Sequence, residues 1–178
     1  GEGKTTSMKQ FALILKQKFP WKWILEVDLK KNLQAFRIGK QLKFNSRHEL
    51  VNFLADHLIN LTGFNREVFK ELFERNRVVF LWDGADEIFP HFKSFMMDLV
   101  KKIADLTHNW QFIATREEYS KDFQNNLKTN AFKLVPLKEN ESFEFLMKYI
   151  ATSLFQLDEE DFYQNFKSFQ CNILIENF

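Results

Sequence analysis

The sequence predicts an α/β protein in which a parallel sheet is flanked by helices. Three stretches have the composition of strands, residues 21–29, 78–82 and 110–115, and helical patterns separate them. Such an alternation is typical of a sheet whose strands run parallel. Residues 78–82 are apolar at every position, which indicates a strand covered on both faces. Residues 21–29 are apolar at the odd positions, with Lys22, Glu26 and Asp28 at even ones, so we expect this strand nearer the rim of the sheet.

Helices are predicted where apolar residues recur at steps of three and four. The first begins near residue 5 and stops at Pro20. Its apolar positions are Met8, Phe11, Ala12, Leu15 and Phe19. Residues 30–44 show no clear period and are predicted to form a loop or a short helix. From residue 139 onward the pattern changes to helices without strands, so we place a domain boundary near residue 137.

Capping residues mark the other predicted helix starts. Ser46 and Glu49 form a capping box, which predicts a helix to about residue 61 with His57 on its apolar side as a core or half-buried residue. We expect Gly63 to end that helix and Asn65 to cap the next one. Pro90 is expected in the first turn of the helix that follows residues 78–82.

The chain opens on G-E-G-K-T-T, which matches the end of the phosphate-binding pattern G-x-x-x-x-G-K-[ST]. We expect the first glycine of that pattern and the preceding strand to lie before residue 1. In such a loop, Gly1 and Gly3 let backbone N–H groups point at phosphate, and Lys4 reaches the β- and γ-phosphates. The Thr5 hydroxyl would bind Mg²⁺ and Thr6 would contact the α-phosphate. The motif therefore predicts a site for a nucleoside triphosphate with Mg²⁺.

Acidic residues and an arginine follow two of the predicted strands. Asp83 comes directly after residues 78–82, where open α/β sheets bind ligands, and is predicted to hold Mg²⁺ through water. Either Asp86 or Glu87 would orient or deprotonate the attacking water. Arg116 follows residues 110–115 and is predicted to sense the γ-phosphate, because a guanidinium grips phosphate at two points. An acidic turn and an ordinary arginine after a strand are the alternative interpretations.

The segment D-G-A-D-E at residues 83–87 resembles the NACHT family of signal-transducing NTPases, which belongs to the STAND class. F-I-A-T-R at residues 112–116 is similar to the family's next strand, and residues 133–141 resemble its last core strand running into an accessory helix. The resemblance implies a P-loop NTPase core over residues 1–137 and the start of a helical accessory domain over residues 138–178. It also implies tight nucleotide binding with slow hydrolysis, ATP rather than GTP, as a conformational switch in a signalling or innate-immune-type protein. Self-oligomerisation or partner proteins, through flanking domains, are implied in the same way.

Two alternatives to this function stay open, an AAA-like turnover ATPase and a non-hydrolysing nucleotide-binding scaffold.

The composition bears on the partners and the compartment of the protein. Lysine and arginine number 25 against 24 aspartate and glutamate residues, so charge implies no nucleic-acid partner. The single Cys171 fits a reducing compartment, and we expect a cytoplasmic protein. No apolar run is long enough to cross a bilayer, and the histidines show no metal-ligand spacing.

Overall fold

The computed structural model describes residues 3–129 and 131, a stretch in which helices and strands alternate. Its first half contains α1 (Lys4–Lys18), β1 (Trp23–Asp28), α2 (Leu33–Gly39), α3 (Arg47–Phe53) and α4 (Gly63–Glu74). Its second half contains β2 (Val78–Asp83), α5 (Ala85–Leu106), β3 (Trp110–Ile113) and α6 (Glu117–Leu127). Gly1, the predicted boundary near residue 137 and the predicted accessory helices lie outside the described residues.

The three strands form one parallel sheet with β2 in the middle, which confirms the predicted α/β class with a parallel sheet flanked by helices. Asp28 lies beside Asp83 in the register of β1 and β2, and Trp82 lies beside Ile113 in that of β2 and β3. The rim position predicted for residues 21–29 is confirmed within this three-stranded sheet. Because the strands are parallel, their carboxyl ends meet along one edge.

Helices cover both faces of β2, which explains why residues 78–82 are apolar throughout. On one face, α1 buries Ala12 and Leu15 against Val79 and Leu81. On the other face, a larger core receives the alternate side chains of the strand. These are Val78, Phe80 and Trp82. Ile24, an apolar residue at an even position of β1, is buried against α1.

The larger core is rich in phenylalanine, and α2 packs tightly into it. The Phe36 and Phe95 rings meet edge to face at 5.3 Å between centroids, and Phe53 lies 5.9 Å from Phe95. A Cβ on the buried Gly39 would overlap Phe95 and come within 2.7 Å of the Phe53 ring, so only glycine fits there without rearrangement. Residues 30–44 thus contain a short helix, one of the two predicted forms.

The capping box at Ser46 is confirmed, but the helix that it opens departs from regular periodicity. The Ser46 hydroxyl accepts the Glu49 backbone N–H, and the Glu49 carboxylate accepts the Ser46 backbone N–H. After α3 the chain continues as a π-helix, Leu54–Leu58, and ends earlier than predicted. The wider π turn shifts the phase of the helix. His57 is consequently exposed rather than on the buried side, and that prediction is wrong.

Three of the predicted helix boundaries are also wrong. Gly63 is the first residue of α4 instead of the end of the previous helix, which leaves Asn65 inside the first turn rather than at the cap. The helix α5 begins at Ala85, so Pro90 lies inside it. Proline cannot donate a backbone hydrogen bond, and Phe92 leaves helical geometry at φ −131°, which bends the helix there. Within the described residues, no helix has the length and apolar character needed to cross a membrane.

Candidate functional site

Most of the residues predicted to act on nucleotide lie at the carboxyl edge of the sheet. Gly3 has a left-handed backbone, with φ of 73°, and leads directly into α1, whose first two residues are Lys4 and Thr5. Asp83 is the last residue of β2. Gly84 follows with φ of 80°, a conformation that favours glycine, and turns the chain into α5. This turn places Asp86 and Glu87 in the first turn of α5, and Arg116 directly precedes α6.

Asp86 is the point at which the two predicted phosphate-binding cations meet. Its Oδ2 oxygen accepts a hydrogen bond from the Lys4 ammonium at 3.2 Å and forms an ion pair with Arg116, whose Nε atom lies 2.8 Å away. The Asp86 side chain is 5% exposed, whereas those of Lys4 and Arg116 are 20% and 65% exposed. Three segments that are distant in the sequence therefore share one buried carboxylate oxygen.

Two buried polar atoms of these segments have no partner among the described residues. The Oδ1 oxygen of Asp86 and the hydroxyl of Thr115, next to Arg116, are buried and make no hydrogen bond within the described residues. Buried polar atoms in folded proteins nearly always have a partner, from protein, water or ligand. Each of these two atoms is therefore available to a polar ligand or water.

Thr5 and Asp83 both line a cavity of about 200 Å³ between α1, β1 and β2. The half-buried Asp83 carboxylate forms no ion pair or side-chain hydrogen bond with the described part of the chain. A hydroxyl and a free carboxylate are ligands that Mg²⁺ accepts. The pair therefore fits the predicted metal site.

No cluster of three or more histidine, cysteine, aspartate or glutamate side chains suited to a metal is found among residues 3–129 and 131. This is compatible with Mg²⁺, which usually keeps several waters and takes only one or two protein carboxylates together with phosphate oxygens.

Asp28 lines the same cavity and was not predicted as a site residue. It pairs with Asp83 in the strand register, and its carboxylate accepts the Lys31 ammonium at 3.1 Å. Burial raises the pKa of Asp28, but hydrogen bonds from the Lys31 side chain and backbone outweigh it and hold the pKa below its usual value. The alternation of β1 indicated only an outward-facing polar residue. Its place at the carboxyl end of a strand, the rule applied to Asp83, could have revealed it.

Glu87 and Thr6 stand apart from the cluster. Glu87 is 47% exposed and forms an ion pair with Lys30 at 3.0 Å, so it contacts a cation different from those on Asp86. Thr6 is exposed on α1. The structure thus brings Lys4, Asp86 and Arg116 together, and Thr5 and Asp83 line one cavity. Glu87 and Thr6 belong to neither group.

Comparisons with other proteins give no family: no protein-family model matches the chain, and no curated protein or solved structure matches it significantly. The described part of the chain defines the class as an α/β protein, with a parallel sheet of three strands flanked by helices in this region. The residues at the sheet edge are the remaining basis for a function.

Proposed function

We propose that this chain carries a P-loop NTPase domain of the NACHT type, which binds a nucleoside triphosphate with Mg²⁺ and hydrolyses it slowly as a conformational switch. ATP is the expected nucleotide, with GTP the alternative. The observation that carries the proposal is the convergence of Lys4 and Arg116 on Asp86, beside Asp83 and Thr5. Self-assembly, or binding of partner proteins through flanking domains, remains an implication of the resemblance.

Two cations at the first turns of helices suit the phosphate chain. Lys4 begins α1, whose N-terminal end adds partial positive charge. Arg116, which follows β3, reaches the same Asp86 oxygen. A phosphate chain between them would be neutralised from two directions, which is how such sites stabilise the charge that develops during phosphoryl transfer.

Thr5 and Asp83 would hold Mg²⁺, which supplies further neutralisation of the phosphate oxygens when bound. The two residues sit on different elements, the first turn of α1 and the end of β2. Their spacing is therefore fixed by the packing of Ala12 and Leu15 on Val79 and Leu81. The core beneath the site positions the two side chains.

Asp86 and Glu87 remain the two candidates for the residue that orients or deprotonates water. Asp86 offers the unpartnered Oδ1 oxygen, which can accept a hydrogen bond from water. Glu87 is more exposed and its carboxylate pairs with Lys30. Glutamine at position 87 keeps the shape and removes the base, so it separates the two candidates experimentally.

Nucleotide binding is tested with Lys4→Ala in the full chain. Mg²⁺-ATP or Mg²⁺-GTP is expected to raise the melting temperature of the wild-type protein, since a ligand that binds only the folded state stabilises it. Lys4→Ala should abolish this shift. Lys18→Ala is the matched control, because Lys18 lies exposed on the same helix. Equal shifts in the wild type and Lys4→Ala would contradict the proposal.

Hydrolysis is tested by phosphate release at saturating nucleotide. Glu87→Gln should retain binding and slow release if Glu87 is the base, while an unchanged rate transfers the role to Asp86, tested by Asp86→Asn. If neither substitution alters the rate, the carboxylates are not catalytic. A wild-type protein that binds nucleotide without releasing phosphate would be the non-hydrolysing scaffold instead.

A further inference from the structure

We infer that Asp86 competes with the nucleotide for Lys4 and Arg116, and that this competition lowers the preference of the site for triphosphate over diphosphate. The inference rests on the proposed function. It assigns to Asp86 a role in nucleotide specificity, separate from any role in activating water. In the free protein, the carboxylate occupies the position of an anionic ligand.

One oxygen atom serves both cations, and this is the basis of the inference. Oδ2 of Asp86 lies 3.2 Å from Lys4 Nζ and 2.8 Å from Arg116 Nε. A phosphate oxygen has the same negative charge and the same ability to accept several N–H groups. A ligand phosphate that recruits Lys4 or Arg116 must therefore take that cation away from Asp86.

Asp86 itself is held in place, so the cations must do the moving. It lies in the first turn of α5, one residue after the fully buried Ala85, and its side chain is 5% exposed. Ala85 N–H donates to the Ala114 carbonyl at 3.4 Å, which ties this turn to the end of β3. Lys4 and Arg116 have long side chains, and Arg116 is largely exposed, so both can turn toward a ligand.

The number of cations released depends on the nucleotide. A diphosphate engages Lys4 and can leave Arg116 on Asp86, whereas a triphosphate engages both. Ion pairs that are partly exposed contribute modestly, so each cation freed from competition should increase affinity by about threefold. Removal of the Asp86 charge should therefore tighten triphosphate binding by about tenfold and diphosphate binding by about threefold.

The experiment measures equilibrium binding of a non-hydrolysable triphosphate and of the diphosphate to the full chain, by calorimetry in excess EDTA. Leaving out Mg²⁺ removes any effect of Asp86 on the metal. Asp86→Asn is the test variant, and Asp86→Ala replaces it if it does not fold. Asp105→Asn is the matched control, because Asp105 lies exposed on the same helix. The melting temperature without nucleotide is recorded for each.

Asp86→Asn is expected to bind the triphosphate about tenfold more tightly than the wild type does, with a smaller gain for diphosphate, while its nucleotide-free melting temperature falls. Asp105→Asn should match the wild type. Unchanged or weaker triphosphate binding by both Asp86 variants would overturn the inference, and so would equal gains for the two nucleotides. If the wild-type protein binds neither nucleotide, with or without Mg²⁺, the proposed function itself fails.

Discussion

Replacement of Arg116 by alanine should weaken triphosphate binding and spare diphosphate. A charged hydrogen bond to the γ-phosphate contributes about 1.5–3 kcal/mol. Part of this gain is offset because, on binding the nucleotide, Arg116 loses its 2.8 Å ion pair with Asp86. Because the Arg116 side chain is 65% exposed, that pair is discounted to roughly 0.5–1 kcal/mol. The net loss is then about 1–2 kcal/mol, or about tenfold in the dissociation constant of the triphosphate.

Titration of both nucleotides with Mg²⁺ into wild-type and Arg116→Ala protein measures this difference directly. The diphosphate constant should change less than about twofold, since no γ-phosphate is present to contact Arg116. Arg37→Ala is a suitable control, because Arg37 is exposed on α2. An equal loss of affinity for both nucleotides would refute the reasoning and mark Arg116 as a residue that only supports the strand end.

Two further predictions concern the free energy of unfolding. Gly39→Ala should destabilise the fold by about 1–3 kcal/mol in urea titration, because its Cβ overlaps Phe95. The cost should shrink in a Phe95→Leu background, and an unchanged cost there would exclude this collision as the cause. Asp56→Asn should destabilise the protein at pH 7, since the hydrogen bond from Arg66 holds the pKa of Asp56 below its usual value although burial opposes this. That stabilisation is present above the unfolded pKa of about 3.9 and is lost as pH falls through the lower folded value, so the difference between the variant and the wild type should shrink progressively as the pH is lowered below about 3.9. A difference that stays constant throughout an acid titration of stability would contradict this prediction.

The sequence correctly predicted the elements whose residues alone, within one strand, helix or turn, indicate the structure. The apolar residues 78–82, the helical spacing before Pro20 and the capping box at Ser46 each became the expected element. In each case the deciding interactions lie within one strand, one helix or one turn. Patterns that depend on other elements were less informative. Ile24 is buried only because α1 covers that face of β1.

Errors arose where the chain departs from regular periodicity. The π-helix at Leu54–Leu58 rotates His57 out of the core, and no pattern of side chains in that segment signals an extra residue per turn. At Pro90, the rule that places proline in a first turn competes with helix formation from Ala85 onward. In the structure, the helical stretch that begins at Ala85 contains Pro90 and is interrupted by a kink at Phe92, after which the helix continues to Leu106.

The candidate site was predicted residue by residue, but its connections were not. Lys4, Asp86 and Arg116 were each expected near phosphate, whereas their meeting at one oxygen depends on β3 lying beside β2. Strand order is a tertiary property that short motifs do not encode. Asp28 was missed for a related reason, because its importance comes from its neighbour Asp83 in the register. The chemical roles of all these residues stay predictions.

Because β2 is buried on both faces, its position in the sheet is fixed, and with it the position of Asp83. A slip of this strand by one residue would turn Val79 and Leu81 toward the larger core and Phe80 toward α1. It would also carry Asp83 out of line with Asp28. The free-energy cost of exchanging these buried faces therefore keeps the Asp83 carboxylate in its place beside Asp28. The buried apolar side chains of β2 therefore determine how precisely the polar residues at the edge of the sheet are positioned.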